Sequence, residues 1–82
     1  MNRYDPLYKW LSSTSGRKVS ATFDQIEAVL GFTLPRTARA RPQWWANEAG
    51  NTRHVQCRAW LDAGFQTANL DLSRKTVEFV RT

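Results

Sequence analysis

An 82-residue chain that is 41% hydrophobic and 12% aromatic, four Trp included, holds one domain with one core and is too apolar to remain disordered. Its single Cys excludes an internal disulfide and a C-x-x-C metal site. The opening residues contain no apolar run of signal-peptide or membrane-spanning length, so a cytoplasmic location is expected. A net charge of +5 favours a polyanionic partner, either nucleic acid or an acidic protein surface.

In chain order, "YDPLYKWLS" predicts a first helix. Asp5 is placed to cap it, Pro6 suits the first helical position, and Leu7, Trp10 and Leu11 form one apolar stripe. "SSTSGRK" is a loop. "KVSATF" alternates Val19, Ala21 and Phe23 against polar neighbours, as a half-buried strand does. A second helix follows, with Thr22 and Gln25 at capping-box spacing. Phe23, Ile26, Val29 and Leu30 face inward, and Gly31 is the stop.

The segment 32–50 predicts a short helix that starts near Pro35, is capped by Thr33 and ends at Pro42. Asn51 or Thr52 then caps a helix running to Ala63, with Gly64 as its stop. Cys57, Trp60 and Leu61 should face inward, and Arg53, Gln56, His54 and Arg58 outward. "FQTANLDL" and "TVEFVR" alternate around the turn Ser73-Arg74-Lys75 and predict a closing hairpin. Phe23, Ile26, Leu30, Trp10, Trp60, Leu61 and Phe79 are the expected core.

Helix, strand, helix, helix, strand, strand is the order of an α+β winged helix-turn-helix, with three helices and a small antiparallel sheet ending in a hairpin wing. One domain over 1–82 is expected. An α+β domain without DNA-binding activity shares parts of this order.

A set of residues spread along the chain makes a further pattern. It comprises Tyr4-Asp5-Pro6-Leu7-Tyr8, Phe23, Ile26-Glu27, Leu30-Gly31, Leu34-Pro35, Ala38-Arg39, Trp44-Trp45-Ala46-Asn47, Ala59-Trp60-Leu61, Gly64 and Phe79-Val80-Arg81. This pattern resembles a family of small bacterial and phage domains of unknown function. The resemblance spans nearly the whole chain, and the Trp-Trp-Ala-Asn block is its most specific part. It implies one complete domain and carries no established activity.

Catalytic chemistry is poorly supplied. The only His, His54, stands three residues before Cys57, which allows a thiolate–imidazole pair or two zinc ligands but completes neither a triad nor a zinc site. No Gly-rich phosphate loop is present. A structural Cys57 and a non-enzymatic domain without cofactor or metal are expected.

Binding chemistry is better supplied. Between Arg36 and Arg58 lie five arginines and one acid, Glu48. Arg36, Arg39, Arg41 and Arg58 can hold phosphates. Thr52, Arg53 and Gln56, near the start of the expected last helix, can meet base edges. Arg74 and Lys75 sit at the wing tip. Trp44 and Trp45 are adjacent, which predicts one in the core and one partly exposed as a stacking platform or partner anchor.

Duplex DNA binding, as a homodimer if specificity is required, is therefore expected. The alternative is a small phage or bacterial inhibitor or adaptor of anti-CRISPR type. Its basic face would block a nucleic-acid-binding defence complex through an acidic protein surface. Neither reading involves a membrane or a small-molecule substrate.

Overall fold

The computed structural model describes residues 2–48 and 55–82. The fold is α+β. Helices α1 (Asp5–Ser12), α2 (Phe23–Leu30), α3 (Arg36–Ala40) and α4 (Cys57–Leu61) accompany strands β1 (Lys18–Thr22), β2 (Phe65–Asp71) and β3 (Thr76–Arg81), and a 3₁₀ turn at Pro42–Trp45 follows α3. Among the described residues no helix is long and apolar enough to cross a membrane.

Local chemistry explains most element ends. Pro6 lies in the first turn of α1, but Asp5 is not its cap; Tyr4 holds that position without a side-chain bond. The Asn2 side chain instead accepts the Tyr4 N–H at 2.8 Å, which fixes the approach to the helix. At the far end the Ser13 and Thr14 hydroxyls both donate to the Trp10 carbonyl, at 2.8 and 3.1 Å. α2 opens on the expected capping box. The Thr22 hydroxyl accepts the Gln25 N–H at 3.0 Å, and the Gln25 side chain accepts the Thr22 N–H at 2.8 Å. α2 closes at Gly31, whose φ of 83° is costly for any residue with a Cβ.

α3 is where a short helix was expected, but the extended Pro35 caps it and Thr33 does not. Pro42 ends α3 and also begins the 3₁₀ turn, because a proline fits the first turn of either helix type. α4 is shorter than the expected helix and ends at Leu61 with Asp62 as its cap, before the expected Ala63 end and Gly64 stop. Asn51 and Thr52, its expected caps, lie outside the described residues.

The three strands form an antiparallel sheet in the order β1-β3-β2. Ala21 pairs with Val77, and Phe79 lies between Val19 and Thr67. β2 carries a bulge between Ala68 and Asp71, and Asn69 there has a φ of 50°. The bulge shifts the alternation of β2, so Ala68, Leu70 and Leu72 are only half-buried. Arg81 ties the loop before β1 to the sheet through the carbonyls of Thr14 (2.7 Å) and Gly16 (3.2 Å).

α1 packs on both α2 and α4, and α4 packs on β2. Leu7, Leu11, Phe23, Ile26, Leu30, Trp60, Phe65, Val77 and Phe79 are buried between them. Trp10 and Leu61, expected in the core, are half-buried at its margin. Each sits beside the pair that points inward, Leu7 and Leu11 on α1 or Cys57 and Trp60 on α4.

The adjacent tryptophans depart from expectation. Trp44 is 8% exposed and Trp45 is 2% exposed, so neither is a free platform. Successive side chains on a 3₁₀ turn diverge by about 120°, yet this turn is covered on both sides. Trp45 stacks between Phe23 and Trp60, at centroid distances of 5.0 and 6.0 Å. Trp44 meets Tyr4 edge-on at 5.9 Å. The Trp45 indole N–H donates to the Ala38 carbonyl at 2.7 Å, so this buried donor is paired.

Candidate nucleic-acid interface

The candidate residues fall into three places. The first is the join between α2 and α3. Glu27, on the half-buried side of α2, accepts the Leu34 N–H at 2.7 Å and a guanidinium N–H of Arg39 at 3.0 Å through the same oxygen. Arg39 also lies 3.5 Å from Asp24 and above the ring of Phe23, 5.7 Å from its centroid. The Leu34 N–H, then Arg39, lowers the Glu27 pKa from its ordinary 4.5, and the Glu27 hydrogen bond raises that of Arg39. Arg39 is therefore engaged inside the fold, where it fastens α3 to α2. Arg36 and Arg41, at either end of α3, are exposed and have no carboxylate partner among the described residues.

The second place is a cavity of about 370 Å³ where α3 passes into the 3₁₀ turn. Pro35, Thr37, Arg41, Gln43, Trp44 and Gln56 line it. Here the structure corrects the expectation for Gln56. Its side chain does not face outward; the residue is 5% exposed, and its amide donates to the Trp44 carbonyl at 3.0 Å. That carbonyl lies near the end of the 3₁₀ turn, where the helical ladder runs out, and Gln56 supplies the missing donor. It cannot reach into a DNA groove. Gln43 and Thr37 went unnoticed in the sequence. Only the turn begun by Pro42 brings them beside Arg41.

The third place is the hairpin turn. Arg74 is 84% exposed at its side chain and makes only a 3.8 Å contact with Asp71. Asp71 accepts from the Ser73 hydroxyl at 2.7 Å and the Arg74 N–H at 3.0 Å, and these bonds, Ser73 first, lower its pKa. Lys75 is exposed with a φ of 60°, and its carbonyl accepts the Phe23 N–H at 2.8 Å. The turn is thereby fixed to the first residue of α2. Arg39 reaches the same end of α2 from the other direction, through Asp24 and Phe23. The hairpin turn and α3, more than 30 residues apart in sequence, are thus both anchored to the first two residues of α2.

Arg58 lies elsewhere. It is exposed on α4 and lines a cavity of about 380 Å³ against α1, with Asp5, Tyr8, Lys9 and Asp62. Thr52, Arg53 and His54 lie outside the described residues. Cys57 is buried, its thiol donates to the Glu48 carbonyl at 3.3 Å, and burial pushes its pKa up. That environment disfavours a thiolate nucleophile. Among the described residues no cluster of three or more His, Cys, Asp or Glu side chains is placed to hold a metal ion.

Asn47 is a joint between these parts. Its side chain forms a reciprocal pair with the backbone of Thr67 on β2, accepting at 2.8 Å and donating at 3.1 Å. The same oxygen accepts the Trp60 indole N–H at 2.9 Å. The Thr67 hydroxyl donates to the Trp45 carbonyl at 2.6 Å. The Trp-Trp-Ala-Asn block is thus bonded to β2 and α4 together.

A family model described as a domain of unknown function, DUF7662, matches residues 4–82. The chain belongs to this family. The DUF7662 match begins at Tyr4, whose ring packs on Trp44, and it takes in α3, the Asn47 joint and the hairpin turn. All three candidate places therefore belong to the family domain. No curated protein and no solved structure matches the chain.

Proposed function

We propose that this domain binds duplex DNA in the manner of a winged helix. The observation that carries the reading is the anchoring of both the Arg74-Lys75 turn and α3 to the start of α2. A hairpin with a basic tip and a short basic helix, both held on one end of α2, suit a phosphate backbone. The sheet order β1-β3-β2 and the packing of α1 on α2 and α4 are consistent with it. On this view α3 and the 3₁₀ turn elaborate the connection between the second and third helices of the motif.

The contacts divide by exposure. Arg36, Arg41, Arg74 and Lys75 hold phosphates. Arg39 positions α3 and does not touch DNA. Base reading falls to Thr52 and Arg53, without Gln56. Arg58, beside Asp5 and Asp62, is at most a flanking phosphate contact. A domain this small gains specificity by pairing two copies on two half-sites.

Salt-dependent binding to a random duplex tests the proposal. Four phosphate contacts give a log–log slope of about −3 to −4, and Arg74→Ala with Lys75→Ala together reduce its magnitude by about two. Absence of duplex binding at low salt overturns the proposal and directs the basic surface toward an acidic protein partner.

A further inference from the structure

The cavity beside Arg41 has more chemistry than a phosphate contact uses. We propose that it receives one unpaired nucleobase, adenine foremost, from the DNA strand that Arg41 holds. This rests on the DNA-binding reading and names what the strand delivers to the protein.

The ligand class follows from the lining. Arg41 is the only charged residue there among the described residues, which suits a single phosphate. A free anion would need nothing else. The remaining lining pairs apolar surface, from Pro35 and Trp44, with two amides, Gln43 and Gln56. Planar amides beside an apolar wall match the edge and face of a base, and Gln pairs with the adjacent donor and acceptor of adenine.

Gln56 is already oriented for this. Its nitrogen is held by the Trp44 carbonyl at 3.0 Å, which fixes the amide plane. Its oxygen takes no hydrogen bond among the described residues, although the residue is 95% buried. No fully buried side-chain oxygen in the described structure lacks a partner, so this one keeps some solvent access, and Gln56 lines the cavity. An accessible acceptor on a residue that lines the cavity suits a donor on the ligand, such as the exocyclic amine of adenine. A base stacked and paired within a duplex cannot reach it. The occupant is therefore a base already out of the stack, at a bulge, a mismatch or a strand end.

Three duplexes of equal length and sequence test this by fluorescence anisotropy: one fully paired, one with a single bulged adenosine, and one with an abasic bulge at the same place. The bulged adenosine should bind about tenfold tighter than either of the others. Gln43→Leu, at an exposed position, should remove that advantage while leaving the paired duplex unaffected; Gln56→Leu should do the same if it folds. Equal affinity for the adenosine and abasic bulges overturns the inference, because bending alone then accounts for the preference. Equal affinity for all three overturns it as well and leaves the duplex-binding proposal standing. No binding to any of them removes both.

Discussion

Replacing Asn47 with Ala tests how the aromatic block is fastened. Four hydrogen bonds involve this side chain, but they are unequal. The reciprocal pair with Thr67 lies at the exposed edge of β2, where water replaces lost partners. The Thr67 hydroxyl keeps the Trp45 carbonyl at 2.6 Å whether or not Asn47 is present. The Trp60 indole N–H has no such substitute. Trp60 is fully buried, and Asn47 is its one acceptor among the described residues.

Leaving a buried donor unpaired costs about 1–3 kcal/mol, and this bond dominates the sum. Urea unfolding followed by tryptophan fluorescence reads it directly. In a thermal scan each kcal/mol lowers the midpoint of a domain this size by about 4–8 °C. Asn47→Asp keeps the acceptor and loses the donor to Thr67, so it should cost less than Asn47→Ala. A change below about 0.5 kcal/mol for Asn47→Ala, the range of ordinary surface substitutions, would refute the reasoning.

Features set by residues a few positions apart were legible in the sequence. The Thr22–Gln25 box, the Gly31 stop and the hairpin all depend on local chemistry, and the structure has them where expected. The α+β class followed from those elements. Features set by distant chain segments were not legible. Nothing near Trp44 and Trp45 indicates that Tyr4, Phe23 and Trp60 will enclose both. The same holds for Arg39, which looks like a free phosphate clamp until Glu27, twelve residues earlier, comes within 3.0 Å. Gln56 has the outward phase of a long helix, but α4 starts one residue later and its amide turns to the Trp44 carbonyl. In each case a polar or aromatic group found a partner across the fold that sequence spacing does not encode.

Three further outcomes are expected. Trp60→Ala should cost about 3–5 kcal/mol in denaturant unfolding, because Trp45, Trp44 and Phe79 all pack on that ring; a near-native midpoint would contradict the core described above. Cys57→Ser should reduce stability by about 1 kcal/mol and leave DNA affinity unchanged, and loss of binding by a folded variant would reopen a role for the thiol. The last concerns acid. The Leu34 N–H and Arg39 hold the Glu27 carboxyl below its ordinary 4.5, so its folded form prefers to be charged. Its stabilising contribution is therefore present above pH 4.5 and is lost as pH falls through the lowered value. Glu27→Gln should be less stable than the native protein at pH 7, with the gap closing on acidification. Arg39→Ala should close only part of it, since the Leu34 bond, the larger cause of the shift, survives. Unfolding curves for the native protein and Glu27→Gln that stay parallel from pH 7 down to pH 3 would show that this carboxylate does not fasten α3 to α2.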